Sequence, residues 1–324
     1  MLPSRPTVLL TGSTGVIGTS LLPSLAARND VSALVRGRRP DSPVVCVEGD
    51  LTAEDLGMSI RKRRQLAAKI DVVVHCAGLT AMAPPDLAAF DAINVEGTRR
   101  ILRLAEEARA PVLLLSSAAA AFQIPGEDLT ARSMRAYSTS KRHAEELAAH
   151  CSQPVAVVRP ALLFAARGAT TAPRHQFPHA LITALLQGRT GGLPVNPDHW
   201  CDVLPIELLT DYLTALTDAL LRGDTTAATL HWVTAGQARL TAADMERACL
   251  DYLTETGRPP TGPLLASPAA SRPRSHGMAR LAQLGFQPPE QPPLPCHLDR
   301  LLPAPLTRQA ALEALARNVR LCAA

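Results

Sequence analysis

The chain has 324 residues, enough for one large core or for a core domain with a smaller appendage. A net charge of +4, one dense basic run (Arg61 to Arg64) and 3% aromatics give neither the wide basic patch nor the stacking partners that nucleic-acid binding wants. No apolar run reaches the ~18 residues of a membrane span, no apolar signal core precedes the first strand, and seven scattered cysteines without a C-x-x-C pair or ligand spacing predict reduced thiols, no metal site and a cytoplasmic location.

In chain order, an apolar strand at 7–10 runs straight into Thr11-Gly12-Ser13-Thr14-Gly15-Val16-Ile17-Gly18 and a helical pattern over 16–28. A strand, a glycine turn and a helix form the opening unit of a dinucleotide-binding fold. Gly12 permits the tight turn, Gly15 lets a pyrophosphate approach the backbone at the helix N-terminus, and Gly18 lets the helix pack close to the strand. The whole turn, Gly12, Ser13, Thr14, Gly15, Val16, Ile17 and Gly18, is expected to bind the cofactor. Its spacing is G-x-x-G-x-x-G rather than the more usual G-x-G-x-x-G. The next strand, 31–35, ends at Arg36, with Arg38 and Arg39 close behind and no acid at its end. An Asp or Glu there would bind ribose hydroxyls, whereas arginines suit a 2′-phosphate. The predicted cofactor is therefore NADP(H), ahead of NAD(H).

Further strand-like runs lie at 44–47, 71–75, 111–115 and 155–158. Helical patterns separate most of them, at 59–69, at 86–90 continuing through 94–109, and at 137–150. This alternation predicts an α/β fold, a Rossmann-type doubly wound parallel sheet with helices on both faces. The basic run sits on the helix 59–69 as a solvated face. The segment 165–200, rich in Gly, Pro, His and Thr, reads as a mobile substrate loop; its His175, His179 and His199 lack metal-site spacing. A helix is expected at 206–222, a last strand at 231–233, a helix at 240–256 and an amphipathic closing helix at 306–321. Dense prolines from Arg258 to Pro295 favour extended, irregular chain. The expected division is an NADP-binding core over 1–165 and a smaller C-terminal substrate-binding region over 166–324. That region is interleaved with the last core elements at about 201–235 and carries the Pro-rich tail.

Tyr137-Ser-Thr-Ser-Lys141 points to chemistry. Two side chains four residues apart share one face of a helix. A lysine so placed can lower a tyrosine's pKa from its ordinary value of about 10, so that the phenol exchanges a proton near neutral pH.

These stretches together resemble the short-chain dehydrogenase/reductase superfamily in its extended branch, and within it the thioester reductases and fatty acyl-CoA reductases. The resemblance runs from about 7 to 235. It is carried by T-G-S-T-G-V-I-G at 11–18, V-E-G-D-L at 47–51, V-V-V-H-C-A-G at 72–78 and N-V-E-G-T at 94–98. It continues with L-L-S-S-A at 114–118, Y-S-T-S-K at 137–141 and V-V-R-P-A at 157–161. It implies that Asp50, with Leu51, contacts the adenine and that Cys76, Ala77 and Gly78 line the cofactor. Asn94 is implied as the residue whose helix distortion holds a relay water, and Ser117 as the hydroxyl that polarises the substrate carbonyl, with Ser116 as fallback. Pro160 and Ala161 cover the nicotinamide, and Lys141 also reaches its ribose. Residues 201–207 resemble the family's return to the sheet. Where the family often has an aromatic and a glycine, this chain has Ala118 to Ala121, which implies a roomy wall beside the carbonyl.

The resemblance implies an NADPH-dependent oxidoreductase that reduces a carbonyl or acyl thioester, with Tyr137, Lys141, Ser117 and Asn94 at the site. Alternatives on the same fold are a nucleotide-sugar epimerase or dehydratase, a hydroxysteroid-type dehydrogenase, or a non-catalytic NADP sensor. No carrier or adenylation module is recognisable, so a thioester would be presented by another molecule. The expected partners are a small-molecule or carrier-bound substrate, no nucleic acid and no membrane, with the protein a monomer or homodimer.

Overall fold

The computed structural model describes residues 5–80, 86–171, 176–188, 192–224, 228–260, 264–266 and 276–323. The first half holds β1 (Thr7–Thr11), α1 (Val16–Arg28), β2 (Asp30–Val35), β3 (Val45–Glu48), α2 (Ile60–Ala67), β4 (Val72–His75) and α3 (Ala88–Phe90). A π-helical turn (Asp91–Val95) leads into α4 (Glu96–Ala108), β5 (Val112–Leu115), α5 (Leu129–Ala149) and β6 (Val155–Pro160). The second half holds β7 (Leu162–Phe164), α6 (Phe177–Leu186), β8 (Leu193–Pro194), β9 (Trp200–Cys201), β10 (Val203–Pro205), α7 (Ile206–Leu221) and β11 (Leu230–Val233). It ends with β12 (Leu240–Thr241), α8 (Ala242–Glu255), β13 (Leu265–Ala266), α9 (His276–Gly285) and α10 (Arg308–Ala323).

The central sheet runs β11-β6-β5-β4-β1-β2-β3, every neighbouring pair parallel. Period-two alternation sends successive side chains to opposite faces. Val8, Leu10, Val72, Val74, Leu113 and Leu115 pack one face under α1 and α7. Leu9, Val73, Val112 and Leu114 pack the other under α2 and α4. This is the predicted doubly wound sheet. The chain order reverses between β1 and β4, where open α/β sheets bind their ligands beyond the strand carboxyl ends. A separate apolar core gathers Phe164, Leu181, Leu185, Leu240, Met245, Leu315 and Val319 from the C-terminal half.

Three expectations change. The helix expected at 137–150 begins at Leu129, because Asp128 accepts the Ala131 N–H at 3.0 Å as an N-cap. Tyr137 therefore sits in mid-helix, more than two turns from the start. Within the expected loop 165–200, α6 is a packed helix with Leu181, Ile182 and Leu185 buried; Pro178 lies in its first turn, where no intrahelical N–H is lost. The proline-dense stretch also contains α9 and the short strand β13 paired with β8. Among the described residues no helix is long and apolar enough to cross a membrane.

Candidate functional site

The glycine turn closes with the Gly15 N–H donating to Gly12 C=O at 3.0 Å. Gly12 has φ +73°, and a Cβ there would come within 2.6 Å of Ala77 N. A Cβ on Gly18 would lie 2.0 Å from Gly12 O. No side chain caps α1, so its first N–H groups are left for an anion. Ser13 Oγ is buried without a hydrogen-bond partner. It lines a cavity of about 450 Å³ with Thr14, Gly15, Arg36, Arg38, Asp50, Leu51, Cys76, Ala77 and Gly78. An orphaned hydroxyl inside a turn whose positions 12 and 18 admit no Cβ fits a phosphate group, so these residues fit a dinucleotide.

Where the cavity meets the end of β2, Asp50 accepts the Thr52 N–H and hydroxyl, each at 2.8 Å, and those bonds hold its carboxyl below the ordinary carboxylate value. Arg36 lies 3.9 Å from Asp50 and is largely exposed.

A second cavity, about 260 Å³, shares Gly12, Gly15, Cys76 and Gly78 with the first. Val16, Ile17, Gly18, Ser116, Ser117, Tyr137, Lys141, Pro160 and Ala161 all line it. Ser117 Oγ accepts the Ala119 N–H at 3.2 Å, and its hydroxyl lies near enough to Tyr137 to act on the phenol's pKa. The Tyr137 ring tilts against Phe90 with centroids 5.8 Å apart. The expected lowering of the Tyr137 pKa is not found: desolvation pushes the phenol up, and the nearby Ser117 hydroxyl opposes this only in part. The physical reason is the aim of Lys141, whose Nζ donates to Leu115 C=O at 3.0 Å. Burial lowers the Lys141 pKa to about 8.

Asn94 stands behind this pair in the π-helical turn. Its side chain accepts the Leu79 N–H at 2.7 Å and donates to Leu79 C=O at 3.1 Å and to Ser140 Oγ at 2.9 Å. A Cβ on Gly78 would sit 3.1 Å from both Asn94 Oδ1 and Lys141 Nζ, so glycine at 78 keeps those groups close.

Two buried networks escaped the sequence reading. His75 Nε2 is 3.1 Å from Thr98 Oγ1, which itself donates to Asn94 C=O at 2.6 Å. His75 must then be the donor to Thr98, and its Nδ1 accepts from Thr11 Oγ1 at 2.7 Å. Thr11 Oγ1 in turn accepts the Ala77 N–H at 3.1 Å. This chain ties the glycine turn, the Ala77 loop and the π turn together, with His75 held neutral by burial and a pKa near 3. In the other network, Glu145 accepts from Ser116 and from Arg159. The H-C-A-G sequence hinted at the first; nothing local marked the second.

The alanine run is a 3-10 turn with Ala118 and Ala120 buried. The space beside it is not open: Phe122, Met134, Phe177, Trp200 and Leu284 close it to a cavity of about 130 Å³. His179 is buried against Asn318 at 2.8 Å and His199 lies beside Asn196; neither lines the site cavities. His175 lies outside the described residues.

Residues 41–213 match the family described as Male sterility protein, an NAD-binding family. Among curated proteins, 144 residues are 33% identical to Glycine betaine reductase ATRR of Emericella nidulans, covering 36% of this chain and 11% of that protein. Over 243 residues the chain is 26% identical to the hybrid PKS-NRPS synthetase pvhA of Talaromyces variabilis, covering 69% of this chain and 6% of that protein. The chain thus spans only a small part of these relatives' length. The terminal R domain from the myxalamid PKS-NRPS pathway shares the fold with TM-score 0.67 and 22% identity, over 98% of this chain and 91% of that one. UDP-glucuronic acid 4-epimerase from Bacillus cereus, solved with UDP-glucuronic acid and NAD, shares it with TM-score 0.62 and 15% identity, over 97% and 99%.

Proposed function

Because the chain belongs to the NAD-binding Male sterility protein family, we propose that it is an NADPH-dependent reductase of a carbonyl or acyl thioester, the thioester carried on a pantetheine arm. The observation that carries this reading is the convergence of Ser117, Tyr137 and Lys141 on one cavity continuous with the glycine cradle. Likeness to an R domain and to a thiolation-reductase di-domain of an archaeal non-ribosomal peptide synthetase (TM-score 0.66, 15% identity, 98% of this chain and 75% of that one) favours a carrier-bound substrate.

The bound cofactor would supply a hydride; the chain's residues do the rest. Tyr137 gives its phenolic proton to the substrate oxygen, and Ser117 donates a hydrogen bond to that oxygen as it gains charge. Lys141, its Nζ held on Leu115 C=O in the same cavity, would reach the nicotinamide ribose. Asn94 holds the backbone at Leu79 and would order a water for proton resupply. Arg36 and Arg38 at the adenosine end, with no acid on the β2 end, favour a 2′-phosphate.

The test mixes the purified protein with NADPH and a panel of acyl-CoA and acyl-pantetheine thioesters and follows nicotinamide oxidation. Oxidation with aldehyde or alcohol formed supports the assignment. Tight NADPH binding without oxidation overturns the thioester reading and moves weight to ketone or aldehyde substrates. Tightly retained NAD on purification would instead favour an epimerase, the activity of one fold neighbour.

A further inference from the structure

At Ser117 the catalytic cavity opens into the one of about 130 Å³, and the two share Ser117, Ala119, Pro160, Ala161 and Phe177. Beyond that mouth the wall is mainly hydrocarbon, from Phe122, Ile124, Trp200, Leu281, Leu284 and Leu294. The polar groups in it are turned to the protein. Asp202 Oδ1 accepts the Ala235 N–H at 2.7 Å, and Oδ2 is buried out of reach of the cavity. Trp200 Nε1 donates to Pro288 C=O at 3.1 Å, and the Gln287 amide nitrogen donates to Leu284 C=O at 3.4 Å. A guest therefore meets mainly carbon, and a polar group carried in loses its water without gaining a partner. The walls are also held in place. Trp200 is 2% exposed, with Arg239 stacked 5.0 Å over its ring, and its N–H and C=O pair with the Gln287 backbone at 2.8 Å and 2.7 Å. A Cβ on Gly285 would lie 2.6 Å from the Phe177 ring, so the end of α9 is packed hard against α6. Close-packed walls of this kind do not widen freely. Volume then limits length. An apolar cavity of ~150 Å³ takes one benzene, so a slightly smaller one takes about five carbons.

We propose, resting on the reductase reading above, that this cavity sets the substrate class: the thioester of a straight acyl chain of about six to eight carbons ending in a methyl group, with Phe122, Trp200 and Leu284 as specificity-determining residues. The reacting carbon stands at Ser117 and Tyr137 in the larger cavity, and the far end of the chain fills the smaller one. Each methylene that enters gains the transfer from water to carbon; a methylene beyond the filled length gains nothing. A hydroxyl at the chain end would be stripped of water against Phe122, Trp200 and Leu284, none of which offers it a partner.

The experiment uses straight-chain acyl-pantetheine thioesters of two to twelve carbons with NADPH, and a parallel set with a hydroxyl on the terminal carbon. Across the shorter chains kcat/KM should rise about fourfold for each methylene that enters the cavity, and it should stop rising at about six to eight carbons. At that length the terminal hydroxyl should lower kcat/KM by about tenfold or more. Leu284→Ala deletes three carbons from the wall, so the length at which the rise stops should move up by about two to three carbons. A profile that is flat with length, a rise that continues through twelve carbons, or equal rates for methyl-ended and hydroxyl-ended chains overturns the proposal. An unmoved limit in Leu284→Ala overturns the role of that wall. Should Leu284→Ala not fold, the wild-type profile decides by itself. Where no thioester oxidises NADPH, calorimetric binding of the straight-chain primary alcohols of the same lengths to the NADP⁺-saturated protein reads the cavity alone. An affinity that climbs and stops at about six to eight carbons upholds the cavity while the thioester reading falls; affinity independent of length, or no binding, overturns both.

Discussion

Ser116 donates its hydroxyl to the carboxylate of Glu145. The same carboxylate grips Arg159 at 2.8 Å and 2.5 Å, and that guanidinium lies 4.8 Å over Trp232. Ser116 is thereby engaged in the framework under the site, while the adjacent Ser117 accepts the Ala119 N–H at 3.2 Å and lines the cavity together with Tyr137. Between two neighbouring serines the structure favours Ser117 for the substrate oxygen. Ser117→Ala should lower kcat by about 10²-fold, the loss of one oxyanion donor. Ser116→Ala should keep kcat within about threefold but cost about 1–3 kcal/mol of stability, since a partly buried carboxylate loses a donor. Steady-state rates and urea unfolding of both variants check this; a kcat loss in Ser116→Ala equal to that in Ser117→Ala would exchange their roles.

Tyr137→Phe keeps the ring against Phe90 and removes only the hydroxyl. If that hydroxyl delivers the proton, turnover should fall by about 10²–10⁴-fold, the usual worth of a positioned acid. NADPH affinity should hold, because the glycine cradle and the Arg36 end are untouched. Fluorescence titration of NADPH beside the rate assay distinguishes lost chemistry from lost cofactor. Turnover near wild type would sink the assignment.

Local pattern carried the sheet, the glycine turn and the Tyr137–Lys141 pair into the sequence, because each is written in residues a few positions apart. What depends on distant partners was not legible. Glu145 acquires its role from Ser116, 29 residues before it, and Arg159, 14 residues after it. Helix α6 was hidden by Pro178, which signals a break unless it falls in a first turn. The early start of α5 rests on Asp128, a cap that also pairs with Arg280 at 2.9 Å across 152 residues. The aim of Lys141 toward Leu115 likewise needs β5 in place, so the lysine's effect on Tyr137 could not be read from their spacing.

Arg36 is 70% exposed on its side chain and only loosely paired with Asp50. A 2′-phosphate would give it a stronger partner than that carboxylate, which Thr52 already occupies. Arg36→Ala should weaken NADPH binding by about 10-fold or more and leave NADH binding nearly unchanged. The wild-type preference should also shrink with added salt, since an exposed pair is screened. Equal effects on NADH and NADPH would remove the argument for the phosphorylated cofactor.

Lys141 gives a stability test that needs no substrate. Its folded-state pKa of about 8 lies below the ordinary 10.5 because burial disfavours the ammonium. Below pH 8 both folded and unfolded states hold the proton, so the full penalty is present and does not vary with pH. Between pH 8 and 10.5 the unfolded state binds more protons than the folded one, so stability rises with pH over that window. Lys141→Met removes the titration and fills a similar volume. The stability of wild type relative to Lys141→Met should be flat from pH 6 to 7 and then shift in favour of wild type by about 2–3 kcal/mol by pH 10. Urea unfolding of both proteins across that range reads the difference, and other titrating groups cancel between them. A difference that stays constant to pH 10 would mean that Lys141 keeps an ordinary pKa in the folded protein, and the desolvated lysine beside Tyr137 would then have to be abandoned.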